Sequence, residues 1–184
     1  MSTRSMIFVE VKAEDMGKTL KPNKNLIYAK GLRFADVDGW RDDKKTIPEA
    51  EIDKVPATEI TGKYIGIYHH WDGYPEGVGD TLLNLFNTYE DALNLMLYGS
   101  ESTINCEGEI EPYWLRGCRF GREDTPPSLH TEIPKNLNET CWAEYVYLFK
   151  DGEWLFDETY GDKSKGYNWQ NLADHLAGMQ DKAQ

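Results

Sequence analysis

The chain has little cysteine: Cys106, Cys118 and Cys141 make an odd count with no CxxC spacing. That argues against both a disulfide framework and a structural zinc site. No apolar stretch approaches membrane-spanning length, so no membrane partner is expected. There is no run of five like charges, no internal repeat and no low-complexity tract, which removes acidic-tail and solenoid readings. The opening residues MSTRSMIFVEVKAEDMG hold one short apolar run and no small-residue cleavage pattern. No signal peptide is expected from them, and a cytoplasmic location is. Basic charge is also scarce. The formal net charge is −12, and it is unevenly placed: residues 1–60 carry 11 basic and 11 acidic side chains, residues 61–184 carry 9 and 21. An acidic surface repels nucleic acid and anionic membranes and favours a partner with a basic surface.

What is present suits one well-cored domain of 184 residues. Six Trp and eleven Tyr are a heavy aromatic load, usable in a core and as interface anchors. SMIFVEVK (5–12) predicts a strand, and 18–25, with Pro22, a loop. LIYAKGLRFADV (26–37) predicts a second extended segment interrupted at Gly31. Residues 38–59, charged and punctuated by Pro48 and Pro56, predict a surface loop or excursion. Residues 64–71 predict the central strand, with a helix from about Asp80 and another capped by Thr88 with Asp91, ending at Gly99. Residues 100–140 read as irregular. CWAEYVYLFK-DG-EWLFDE then predicts a β-hairpin whose Asp151-Gly152 turn takes positive φ angles. WQNLADHLAGM (169–179) predicts a terminal amphipathic helix with Leu172, Leu176 and Met179 on one face. The expected fold is α+β: one domain over 1–184, a mostly antiparallel sheet, a strand–Gly turn–helix unit, a C-terminal hairpin and a terminal helix.

The most informative stretch is KYIGIYHHWDGYPEGVGDTLLNLF (63–86), an alternating strand, a Gly-rich acidic turn and a helix start. Its YHHWDGYPEGVG run before an apolar helix resembles the HWDGYP-type family of small bacterial and bacteriophage proteins. The helix ending at Leu97-Tyr98-Gly99-Ser100 and the Tyr-Val-Tyr-Leu-Phe/Asp-Gly-Glu-Trp hairpin are similar in style, so the resemblance spans about 62–160. It implies a setting rather than a chemistry: cargo of a phage, prophage or other mobile element, acting in the host cytoplasm.

Adjacent His69 and His70 on a strand point to opposite faces and cannot chelate one metal together. With Ile65 and Ile67 inward, His69 and Trp71 are expected inward, while Tyr68, His70 and Asp72 share the other face. His70 and Asp72 thus suit a base and its orienting carboxylate, although Asp72-Gly73 is also what a turn requires. His70, Asp72, Glu76 and Asp80 form a local oxygen-and-nitrogen set suited to Mg²⁺ or Mn²⁺. The Gly73–Gly79 turn lacks the Lys and Ser/Thr of a phosphate loop, and Glu76 and Asp80 would repel phosphate, so no cofactor is expected. His130 and His175 are isolated. Glu107, Glu109 and Glu111 alternate as on an exposed edge strand. Such a row guards against aggregation; at roughly 6–7 Å between members it also approximates the pitch of backbone phosphates. Arg116, Arg119 and Arg122 either pair with those acids or mark an anion site.

Two functional expectations follow. The first is a non-enzymatic mobile-element accessory protein that binds and inhibits a host macromolecule, of which a nucleic-acid-processing defence protein blocked by an anti-restriction or anti-CRISPR inhibitor is the archetype. It would use Trp71, Asp72, Tyr74, Glu76, Glu107, Glu109 and Glu111, with no direct nucleic-acid contact. The second is a small metal-assisted hydrolase acting on a nucleotide or signalling molecule at His70/Asp72. A homo-oligomer formed through the hairpin is a third, plainer outcome.

Overall fold

The computed structural model describes residues 2–37, 44–105, 108–113 and 125–183. In chain order the described elements are β1 (Ser5–Glu10), β2 (Thr19–Leu20), α1 (Lys24–Tyr28), β3 (Arg33–Val37), β4 (Lys44–Thr46), α2 (Glu49–Ile52), β5 (Thr58–Glu59), β6 (Tyr64–His69), α3 (Asp80–Leu85), α4 (Tyr89–Met96), β7 (Glu101–Asn105) and β8 (Glu109–Pro112). They continue with β9 (Ser128–His130), α5 (Leu137–Cys141), β10 (Tyr145–Lys150), β11 (Glu153–Glu158), β12 (Gln170–Asn171) and α6 (Leu172–Lys182). The fold is α+β, as the sequence predicts. One sheet runs β12-β11-β10-β1-β6-β7-β8-β3-β4, with β9 added beside β6, and β2 and β5 form a separate pair. The β1–β10, β6–β7 and β3–β8 ladders are parallel and the others antiparallel.

β1 sits centrally because its run MIFV is apolar on both faces, the pattern of a strand covered on each side. On one face Ile7 and Val9 align with Ile67 and Ile65 of β6 and with Tyr147 and Phe149 of β10. That layer is roofed by Val78, Leu82, Phe86 and Leu172 to make the main core. On the other face Met6, Phe8, Val146 and Leu148 lie under Leu137 and Ala143, flanked by Ile133, Tyr167 and Trp169. The hairpin turns at Asp151 (φ 52) and Gly152 (φ 79), the paired positive angles expected of the two-residue turn. Thr88 caps α4: its Oγ1 accepts from the Asp91 N–H at 3.2 Å and donates to the Asp91 carboxylate at 2.9 Å.

Four expectations need correction. Residues 26–37 are not one extended segment: the Asn23 side chain accepts from the Asn25 N–H and starts α1, so only 33–37 form a strand. The described part of 38–59 is not a mere surface excursion, since Ile47, Ile52 and Val55 are buried in the main core while the charges between them face out. Residues 100–140 are less irregular than expected, holding β7, β8, β9 and α5. In α6, Leu172 is buried and Leu176 packs on the core, but Met179 is exposed. No helix among the described residues is long and apolar enough to cross a membrane.

Gly66 on β6 faces Phe8 on β1 directly, and a Cβ added there would lie 2.4 Å from the Phe8 ring. Gly66→Ala is therefore expected to destabilise the fold by about 1–3 kcal/mol in urea unfolding. Gly178→Ala, in α6 with open space at the Cβ position, should stabilise it by about 0.5–1 kcal/mol. A neutral Gly66→Ala would show that the β1–β6 interface is looser than described.

Candidate binding face at one end of the sheet

The registers place Ser5, Tyr145, His69 and Glu158 at one end of four adjacent strands. Four loops leave that end: residues 2–4, 70–74, 142–144 and 159–161. Backbone bonds stitch them together. The Gly73 N–H donates to the Thr3 carbonyl (2.8 Å), the Glu144 N–H to the Arg4 carbonyl (2.8 Å), and the Thr159 N–H to the Glu144 carbonyl (3.0 Å). The buried Thr159 hydroxyl also donates to the Ala143 carbonyl.

The signature residues divide cleanly between fold and surface. Asp72 takes a left-handed backbone (φ 54), which Asp tolerates better than most residues. Its carbonyl accepts from the Val78 N–H, and a Cβ on Gly77 would lie 2.3 Å from that oxygen. Gly73 fits against the 3–4 backbone, where a Cβ would lie 2.8 Å from the Thr3 carbonyl, and its own carbonyl accepts from the buried Tyr147 hydroxyl at 2.7 Å. The glycines thus serve close packing. The Gly77 and Gly79 N–H groups donate to the Tyr74 carbonyl, so the turn spends its amides internally rather than cradling a phosphate. Held this way, the turn buries Gly73 and Pro75 and turns Trp71, Asp72, Tyr74 and Glu76 outward.

Trp71 (47% exposed), Tyr74 (37%), Trp142 (68%) and Tyr160 (54%) all come from these loops. Among the described residues only Met16 and Met179 are other large apolar side chains as exposed. Trp142 is also left-handed (φ 55) at the end of α5, a backbone that favours glycine. The Arg4 guanidinium lies 5.7 Å from the Trp142 ring centre. Carboxylates fringe the aromatics. The Tyr145 hydroxyl is pushed up first by burial and then by the charges of Glu158 at the end of β11, Glu76 and Glu144.

Of the other sequence candidates, His70 and Tyr68 do share a face, with the Tyr68 hydroxyl 2.8 Å from His70 Nδ1 and the His70 ring edge-on to Trp71 at 4.7 Å. Burial raises the Tyr68 hydroxyl above its ordinary value, partly offset by Arg4. Trp71 is not inward as expected, because β6 ends at His69 and the chain turns before reaching it. Among the described residues no three His, Cys, Asp or Glu side chains gather as a metal group, so His70, Asp72, Glu76 and Asp80 do not form one. Glu109 and Glu111 do not line an exposed edge. β8 is an inner strand between β7 and β3, both residues are buried, and Glu109 Oε1 meets Arg33 at 2.5 Å. Glu107, Cys106, Cys118, Arg116, Arg119 and Arg122 lie outside the described residues. His130 bonds Ser128 Oγ at 2.9 Å, and His175 packs on Phe156. Trp142, Glu144, Glu158 and Tyr160 were not singled out from the sequence. The usable signal was an aromatic just outside each end of a hairpin whose inner alternation is already complete.

Beneath this face lies a polar seam. His69 is fully buried: its Nε2 accepts from the Ile104 N–H (3.3 Å) and its Nδ1 lies 3.5 Å from Ser5 Oγ. Burial, with a smaller effect of His70, lowers it to about 3. Glu101, its register partner on β7, is also fully buried, and among the described residues neither carboxylate oxygen has a hydrogen-bond partner. Burial first, then the Glu111 charge, pushes the Glu101 carboxyl well above its usual range. Comparison with models of protein families, with curated proteins and with solved structures finds no match for this chain.

These two groups set opposing pH slopes. His69 binds a proton more readily unfolded, so its contribution to stability is lost as pH falls from 6.5 towards 3. Glu101 holds its proton more tightly folded, so its contribution is lost as pH rises from 4.5 until the folded carboxyl ionises. The two slopes have opposite signs, each at most about 1.4 kcal/mol per pH unit. Measured upward from pH 4.5, the urea midpoint of the native chain should lose ground to that of Glu101→Gln. Parallel profiles would show that Glu101 finds a partner in solution.

Proposed function

We propose that this chain is a non-enzymatic binding protein that presents the aromatic, acid-fringed end of its sheet to a basic surface on another protein and inhibits it. The observation that carries the reading is the exposure of Trp71, Tyr74, Trp142 and Tyr160 at one end of the sheet, on loops joined by backbone hydrogen bonds and accompanied by Glu76, Glu144 and Glu158. Exposed aromatics supply contact area at low entropy cost, and the carboxylates steer and select a cationic partner. A pre-stitched face loses little freedom on docking. The excess of 21 acidic over 9 basic side chains in residues 61–184 favours the same class of partner.

The resemblance to the HWDGYP-type family extends the proposal to a phage or mobile-element accessory protein acting in the host cytoplasm. Its target would then be a nucleic-acid-processing defence protein, whose basic groove supplies the complementary charge. Glu109 and Glu111 drop out of the proposed contact set because they are buried. Trp142, Tyr160, Glu144 and Glu158 enter it. The hydrolase reading retains His70 and Asp72 but has no assembled metal set among the described residues, and it supplies the contrasting outcome below.

A photo-reactive residue placed at Trp71 or Trp142 is expected to cross-link one host protein, and the same residue at Met179 none. With that partner purified, Trp71→Ala/Trp142→Ala should weaken binding ~30-fold or more. Glu76→Lys should slow association and reduce its salt dependence, while His70→Ala and Asp72→Asn should each weaken binding far less than the double tryptophan variant. A loss confined to His70→Ala and Asp72→Asn would move function to that junction. Cross-linking of the chain only to itself would make this end a homo-oligomer interface.

A further inference from the structure

The opposite side of the molecule carries a groove of another character. It lies on the sheet face away from the main core, over Tyr64 of β6, Leu148 and Lys150 of β10 and Leu155 of β11. One wall is the segment after β9, with Glu132, Ile133 and Lys135; the other is Gly166 to Trp169. The Tyr167 hydroxyl donates to the Pro134 carbonyl at 2.5 Å and ties the two walls together. The cavity is about 350 Å³, within the usual range of small-ligand sites.

Its lining combines flat rings and positive charge. Tyr167 and Trp169 stand with ring centres 5.2 Å apart, both partly exposed, and Tyr64 is a third ring on the floor. Lys63, Lys135 and Lys150 rim the cavity against a single lining acid, Glu132. Lys63 Nζ lies over the Tyr64 ring at 5.5 Å, Lys135 Nζ reaches the Ser164 carbonyl at 3.1 Å, and Lys150 Nζ lies 3.7 Å from Glu10. The distribution makes this more than a chance set of lysines. Six basic side chains of residues 61–184 fall among the described residues. Three of them rim this groove, and Lys163 and Lys165 sit on the segment leading into its second wall, leaving Lys182 elsewhere. In a chain of net charge −12, half of the described basic side chains of residues 61–184 line one groove with three aromatic rings, while Lys163 is paired with Asp157.

We infer that this groove binds a small flat-ring anion of the nucleoside phosphate class, the ring against Tyr167 and Trp169 and the phosphate among Lys63, Lys135 and Lys150. Charge complementarity selects the anion, since three ammonium groups repel a cation and attract a phosphate more strongly than a neutral ring. The rings select a planar partner, because stacking is favourable for any base. The site lies on a different face from the proposed docking platform and stands or falls independently of it.

The test uses the full chain and defined probes: AMP, UMP, adenosine and inorganic phosphate, by calorimetry and by amide shifts in ¹⁵N spectra. AMP or UMP should bind with a Kd below about 1 mM, moving the amides of 131–135 and 166–169. Adenosine and phosphate alone should each bind roughly tenfold or more weakly, the value of one lost charge-assisted contact or one stack. Lys63→Gln/Lys135→Gln should weaken AMP about tenfold, with Lys182→Gln as the unchanged control and an unaltered urea midpoint excluding a folding defect. Equal binding of AMP and inorganic phosphate would overturn the ring assignment. Absence of nucleotide binding at millimolar concentration, or shifts away from the groove, would overturn the site.

Discussion

The imidazole of His69 holds together two parts of the sheet that backbone pairing alone would leave barely joined. The far edge of β6 is shared: Tyr64 to Gly66 pair with β9, and the strand reaches β7 at one described position, His69 with Glu101. Between those contacts the edge is satisfied by side chains. The Tyr68 N–H donates to Ser100 Oγ, and the Ile104 N–H donates to His69 Nε2. The ring can accept there only while neutral, and its complete burial keeps it so. Removing it would strand a buried N–H on β7, at a cost of about 1–3 kcal/mol. The β7-β8-β3-β4 portion of the sheet is thus joined to β6 by the His70 N–H to Glu101 carbonyl bond, the Tyr68–Ser100 bond and one neutral histidine.

The same junction explains why the end of the sheet is usable as a surface. Because His69 points in and the strand stops there, the following residues are free to turn, and Gly73 drops against the 3–4 backbone under the Tyr147 hydroxyl. The fold therefore consumes the glycines, the proline and the histidine of the signature, and leaves its tryptophan, aspartate and second tyrosine facing solvent. The turn keeps its aromatic side chains outside and spends the Gly73, Gly77, Val78 and Gly79 amides on backbone carbonyls. Acidic and basic charge are also kept apart: carboxylates fringe this end, while three lysines of the same half of the chain line the groove on the other side.

The elements legible in the sequence were those with strong local grammar. The Asp151-Gly152 turn, the Thr88/Asp91 cap and the doubly apolar MIFV run each specify their own conformation. What escaped was set by distant partners. Residues 109 and 111 alternate with apolar neighbours just as an exposed edge would, and only the arrival of β3, 76 positions earlier at Arg33 and Glu109, makes β8 an inner strand. Similarly, nothing local shows that Ile47, Ile52 and Val55 find the core, because their short turns are outweighed by charge and proline in any window. Of the candidate site, the 71–76 half was legible from its turn chemistry. The 142–144 and 159–161 half was not, since its nearness depends on the β1–β10 pairing.

That parallel pairing has a consequence for how the molecule is made. Ser5 pairs with Tyr145, 140 positions further along the chain. At about 5–20 residues per second, synthesis leaves β1 waiting roughly ten seconds for β10. Throughout that interval a strand apolar on both faces has one edge unclaimed and one face uncovered, with β6 as its only early neighbour. The nascent chain therefore passes through a period in which its most hydrophobic strand is its most exposed, and its yield in a cell depends on what shields residues 5–10 until the last hairpin leaves the ribosome.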